Sequence, residues 1–230
     1  DREVLSGRPP CAPREAVAEV AGMVGLGLEG MIGRCCSVDA GARPSFEELV
    51  REFDAVKVSM CVLRGDVEGA RAAIGGGGDV NGGGGGACGV WLAARYQRLS
   101  MLSMLLGVAG RDVNAAWEGM SALQLAAREG WLEGVRALLG AEDIDCVSVT
   151  GEGDTAMTLA AGGGHREVVE ALAYAEPALV EAEGAEGSPL WVACRGGWSE
   201  CVEVLVGLGA AAGWATGEGL TCVHAAVVSG

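Results

Sequence analysis

Few residues of this chain have the type and spacing that chemistry requires. Gly25-Leu-Gly27-Leu-Glu-Gly30 has the glycine spacing of a phosphate-binding loop, and Lys57, the sole lysine, follows an Ala-Val pair. A dinucleotide loop needs a strand before it, a helix after it and an acidic residue about 20 positions on. The version that recruits a lysine needs it on a nearby strand, and here a capped helix is expected in between. Gly75–Gly78 and Gly82–Gly86 enclose Asp79-Val80-Asn81 in a glycine-dense loop. Its backbone N–H groups could form an anion nest, but no lysine is adjacent and Asp79 sits inside, so a flexible, weakly ordered loop is expected. Cys35 and Cys36 are adjacent, too close for ordinary mutual pairing, with no His or acid at a spacing useful for thiol or metal catalysis. The two histidines, His165 and His224, lie outside any cysteine cluster, which speaks against a zinc site. The expectation is therefore no catalytic residue, no cofactor-binding residue and no metal ligand in this chain.

Nine cysteines are an odd number, scattered without a Cys-x-x-Cys pair. Cys61, Cys88, Cys194 and Cys201 fall inside apolar helix patterns, where a reduced thiol behaves as a small hydrophobe. This usage fits a reducing, intracellular and hence cytoplasmic compartment. The net charge is −15, and residues 58–230 hold nine basic against 21 acidic residues. A nucleic-acid binder needs a basic face for phosphate contacts, so that class is disfavoured. The plain reading of the acidity is a solvated, soluble surface. The longest uncharged stretch near the end, Val204 to Gly217, has 14 residues, short of the ~20 that a membrane span needs. The first residue is Asp, so the chain can be a segment of something longer and missing targeting signals mean little.

The elements that would carry any function announce themselves by repetition. Gly187-Ser188-Pro189-Leu190-Trp191-Val192-Ala193-Cys194 reads as a capped helix start, with proline where a first turn tolerates it. The Leu190 position is matched by Val90, Leu123, Met157 and Val223, at successive spacings of 33, 34, 33 and 33 residues. A glycine and a larger residue follow each small apolar helix (Gly130-Trp131, Gly164-His165, Gly197-Trp198), and then a second apolar helix. Asp79-Val-Asn81, Asp112-Val-Asn114 and Asp143-Ile-Asp145 mark the turns between copies. At these residues the chain resembles the ankyrin repeat. The resemblance implies a mainly α fold, an ankyrin-type helix-turn-helix solenoid, over residues 58–230.

Residues 58–81 read as a degenerate first unit, followed by units over roughly 82–114, 115–146, 147–181 and 182–214. A sixth unit stops after its first helix, so the natural chain is expected to continue or this end to fray. Trp91 and Trp191 take a core-facing position, and Trp131 and Trp198 cover the inter-helix turn. Trp117 and Trp214 fall on the fingers between units, where large apolar residues lack a core role. The resemblance implies that partners dock on fingers and on the inner face of the first helices. That surface includes Trp117, Glu118, Glu152, Asp154, Glu186 and Glu218 on fingers, and Arg95, Tyr96, Arg128, Glu129 and Arg195 on helices. The acidic finger tips point to a protein partner with a basic or mixed surface; a merely solvated face is the competing reading for each residue.

Residues 1–57 do not follow the period. Ser45 with Glu48 forms a capping box, so a helix is expected from there through Leu49, Val50 and Phe53. The order Gly7-Arg8-Pro9, Ile32-Gly-Arg-Cys-Cys36, Asp39, Arg43-Pro44-Ser45-Phe46 resembles the end of the C-terminal lobe of a tyrosine-kinase-like protein kinase. Cys36 departs from its Trp, and Ala40 from its Pro. The resemblance implies a small helical remnant of that lobe without catalytic motifs, since the phosphate loop, strand lysine, catalytic Asp and metal-binding Asp of that family all lie further upstream. It also implies that Arg43 lacks its usual glutamate partner, so this segment should be loosely folded alone or Arg43 should reach solvent. His165-Arg166-Glu167 is similar to a kinase catalytic-loop triplet, but it sits at the inter-helix turn of a repeat, where Gly-His is the ankyrin norm.

Two functions follow. One is a protein-binding module, the scaffold or regulatory tail of a larger kinase–ankyrin protein. The other is a fragment of an active ATP-dependent serine/threonine or tyrosine kinase whose catalytic residues lie upstream of Asp1. ATP and Mg would be cofactors only of such a parent. The sequence leaves the oligomeric state open.

Overall fold

The computed structural model describes residues 57–81, 87–213, 221, 222 and 224. The kinase-like reading of the first 56 residues, the loop 82–86, Trp214, Glu218 and most of the sixth unit lie outside the described residues. The chain packs as two compact units, Asp1–Asp112 and Val113–Gly230. The described residues are mainly helical, in short antiparallel pairs.

In the first unit, α1 (57–64) buries Val58, Val62 and Leu63. It turns at Gly65, whose φ is +75°, into α2 (Val67–Gly75), capped by the Asp66 carboxylate on Gly69 N at 2.8 Å. α3 (Gly89–Arg95) and α4 (Leu99–Leu106) form the next pair, and α2 packs on α4. Gly75–Gly78 is not a loose loop. Gly76 N, Gly77 N and Gly78 N each donate at 3.0 Å to the carbonyls of Ala72, Ile74 and Ala73, with Gly77 at φ +98°. These donors close the C-terminus of α2, as a left-handed helix end requires, and none remains for an anion.

The second unit starts with a two-stranded hairpin, β1 (Ala116–Trp117) and β2 (Met120–Ser121). Three helix pairs follow: α5 (Ala122–Arg128) with α6 (Leu132–Leu139), α7 (Ala156–Gly163) with α8 (Arg166–Ala175), and α9 (Pro189–Arg195) with α10 (Ser199–Gly207). A 3-10 turn, Pro177–Glu181, buries Leu179 and Val180 after α8. First helices stack in chain order, α5 on α7 on α9, and second helices likewise, α6 on α8 on α10.

Composition explains the two kinds of helix. The first helices α5 and α9 have neighbours on nearly every side, so α5 is buried from Ala122 to Ala127 and α9 from Pro189 to Cys194. Alanines of the first helices let backbones approach closely: Ala127, Ala160, Ala161 and Ala193 are fully covered. Second helices face the core on one side only. Their buried residues recur three or four apart: Met101, Leu102 and Leu105 in α4, and Val168, Val169, Leu172 and Ala173 in α8.

Candidate functional site

The first helices α3, α5, α7 and α9 are each started by a side chain that accepts from an N–H of the first turn. Ser121 with Gln124, and Thr155 with Thr158, form reciprocal capping boxes. Ser188 Oγ accepts from Trp191 N at 3.3 Å, with Pro189 in the first turn, and Cys88 Sγ takes the same role toward Trp91 N at 3.3 Å. Trp91 and Trp191 are 4% and 9% exposed, so they pack as the sequence indicated.

These caps fix the fingers. The first finger of the second unit turns at Glu118 and Gly119, with φ of +53° and +77°. Two successive left-handed residues are what a two-residue hairpin following the strand twist requires. Its neighbour comes close enough that Gly151 N donates to Gly119 O at 2.8 Å. Trp117 is half-buried on this hairpin, and its indole N–H is covered. On the next finger Glu152 is exposed, while Asp154 is half-buried. Asp154 Oδ1 accepts from Ala185 N at 3.1 Å and from Thr158 Oγ1 at 3.5 Å. On the third finger Glu186 forms an ion pair with Arg195, and the Arg195 guanidinium lies over the Trp191 ring, 5.3 Å from its centroid.

Arg128, Asp154, Glu186 and Arg195 come together. They line one groove of about 350 Å³ with Thr158, Leu159, Gly162, Gly163 and Val192. Glu129 sits beside Arg128, with a 3.4 Å contact between their charged groups. Arg95 and Tyr96 belong to the first unit, at the end of α3. Thr158, Leu159, Gly162 and Val192 were absent from the sequence-based site. Gly162 alone carries a sequence signal, in the column five residues past the repeating Val90, Leu123, Met157 and Leu190: Arg95, Arg128, Gly162, Arg195.

The turns between paired helices also carry a recurring contact. Arg98 Nη2 donates to Leu63 O at 2.8 Å, and Trp198 Nε1 donates to Gly162 O at 2.7 Å. His165 Nε2 lies 3.0 Å from Arg128 O. Each side chain satisfies a carbonyl near the C-terminus of the preceding first helix, where orphan acceptors lie. His165 is thus a packing residue, and Arg166 pairs with Glu170 one helical turn on, at 3.1 Å. The Asp-x-Asn turns bridge neighbours in the same way. Asn81 Nδ2 donates to Gly110 O at 2.8 Å and its Oδ1 accepts from Asp112 N at 2.7 Å; Asn114 repeats this with Asp143 O at 2.7 Å and Asp145 N at 2.8 Å. Asp145 has no side-chain donor to extend the ladder, and its Oδ1 accepts from Val147 N at 3.0 Å instead.

Among the described residues Cys61, Cys88, Cys146, Cys194, Cys201 and Cys222 are free thiols. Burial pushes Cys194 up to about 11, with the neighbouring Cys222 adding to the effect. Burial is also the first cause of the upward direction at Cys88 and Cys201. Raised thiols are poor nucleophiles at neutral pH. Among the described residues no three His, Cys, Asp or Glu side chains gather as a metal site would need, and no helix is long and apolar enough to cross a membrane.

No curated protein matches the chain. Residues 90–180 match the family model described as ankyrin repeats (3 copies), and the same helix-turn-helix pattern continues beyond the match in α9 and α10. Residues 90–180 are thus similar to ankyrin repeats, a type of repeat that serves as a protein–protein interaction module.

Proposed function

We propose that the chain binds another protein, without chemistry of its own, through the fingers and first-helix ends of the unit Val113–Gly230. One observation carries this reading: Arg128, Asp154, Glu186 and Arg195, drawn from three successive repeats, line a single groove. Exposed Glu118 and Glu152 on the fingers above it favour a partner with a basic or mixed surface. The free thiols support a reducing, intracellular setting.

The motif order in residues 1–57 supports a finer reading, in which this module is the scaffold or regulatory tail of a larger kinase–ankyrin protein. The same motifs favour the alternative of a fragment of an active kinase. ATP-dependent phosphotransfer by a parent chain carrying a strand lysine and two catalytic aspartates would establish it.

The test of the binding reading is affinity. A partner captured on the immobilised chain is purified and titrated against the chain and against a Glu118→Lys, Glu152→Lys, Glu186→Lys variant. At least a tenfold loss is expected. A Tyr174→Ala variant, altered at an α8 side chain that is 93% exposed, should bind as the parent does. Equal affinity for the charge-reversed variant contradicts the reading.

A further inference from the structure

The last residue of α3, α5 and α9 is an arginine: Arg95, Arg128 and Arg195. In α7 the matching position, five residues past Met157, is Gly162. The groove opens at that gap, bounded by Arg128 and Arg195 and floored by Leu159 and Val192. In the following repeat, Arg195 meets the finger acid Glu186, nine residues before it. Nine residues before Gly162 is Gly153, flanked by the acids Glu152 and Asp154. Neither acid has an ion-pair partner among the described residues. The repeat thus keeps its finger carboxylates and lacks the guanidinium that would answer them.

We propose that the groove receives an arginine side chain from the partner protein, with its guanidinium on Asp154 and its stem along Leu159 and Val192. This rests on the protein-binding reading of the same surface. Asp154 is positioned in advance, because Ala185 N donates to its Oδ1 at 3.1 Å. A pre-positioned carboxylate loses little freedom on binding and suits the planar fork of a guanidinium. The groove, about 350 Å³, lies within the ~300–1,000 Å³ typical of recognition pockets. An acidic side chain is the poorer occupant. Arg128 and Arg195 already face Glu129 and Glu186, and the chain as a whole carries a net charge of −15.

The test uses the full chain labelled with ¹⁵N. The probe is a heptapeptide of Gly, Ser and Ala with one central arginine; control peptides carry citrulline, glutamate or leucine there. The arginine peptide should shift the amides of Thr158, Gly162 and Gly163 saturably, with a Kd of ~1 mM or tighter. The citrulline peptide should not. Asp154→Asn, which keeps the Oδ1 acceptor, should weaken the arginine peptide at least tenfold. Gly162→Arg supplies the missing guanidinium from within and should abolish binding, with the thermal midpoint of each variant confirming its fold. Absent shifts, equal shifts with a control peptide, or an unchanged titration in Asp154→Asn overturn the proposal. With the captured partner the two readings separate. Affinity lost on finger charge reversal but kept in Asp154→Asn and Gly162→Arg sinks the arginine pocket alone. Affinity kept in all three sinks both.

Discussion

Trp198 Nε1 donates a 2.7 Å hydrogen bond to the carbonyl of Gly162, 36 residues earlier. The indole is 43% exposed, so its position owes as much to this bond as to burial. It joins the turn of one repeat to the helix end of the one before, and it leaves the rim of the groove without an orphan carbonyl. Trp198→Phe keeps most of the ring and removes the donor. It should cost about 1 kcal/mol of unfolding free energy in urea titration, near the lower end of the range because water can reach the carbonyl.

Gly164 fills the space under that indole. Its φ is +74°, and a Cβ there would lie 2.5 Å from Trp198 Cδ2. Gly164→Ala therefore meets both left-handed strain and a clash, and should cost more than ~1–2 kcal/mol. The same substitution in a Trp198→Ala background should cost measurably less, since the clash is gone. Equal costs in the two backgrounds would show that the indole does not rest on Gly164.

The capping box of α7 is buried, with Thr155 only 2% exposed. Thr155 Oγ1 accepts from Thr158 N at 3.1 Å, and Thr155 N donates to Thr158 Oγ1 at 2.9 Å. Thr155→Ala should lower stability by ~0.5–2 kcal/mol, and Thr155→Ser by less. Thermal unfolding of the two variants side by side checks the order.

Stability should fall in alkali. Burial raises Cys194 from 9.0 to about 11, so the folded chain holds the thiol proton more tightly than the unfolded chain. The contribution is complete below pH 9 and is lost as pH rises through about 11. Urea midpoints at pH 8 and pH 10.5 should differ, and Cys194→Ala should narrow the difference.

Much of this was legible in the sequence, because the fold is built from a unit that recurs. The marker positions Leu123, Met157 and Leu190 are fully buried, at most 2% exposed, and the caps Ser121, Thr155 and Ser188 start the helices where the pattern placed them. The glycine-dense reading of Gly75–Gly78 failed because composition cannot tell a loose loop from a helix end whose donors are all used. The floor of the groove was missed for a different reason. Gly162 matters as the residue that is not arginine, and a search for reactive side chains passes over it. The bonds of His165 and Trp198 to carbonyls 37 and 36 residues away follow from stacking, which no local window contains.

The central claim is that the fingers and first-helix ends of the second unit hold a protein partner. Hydrogen–deuterium exchange of the full chain, with and without the purified partner, tests it most directly. Added protection should fall on the segments carrying Glu118, Glu152 to Asp154, Thr158 to Gly163 and Glu186, while α8 and α10 exchange as before. Protection confined to the exposed side of α8 and α10, around Tyr174 and Val206, would contradict the account.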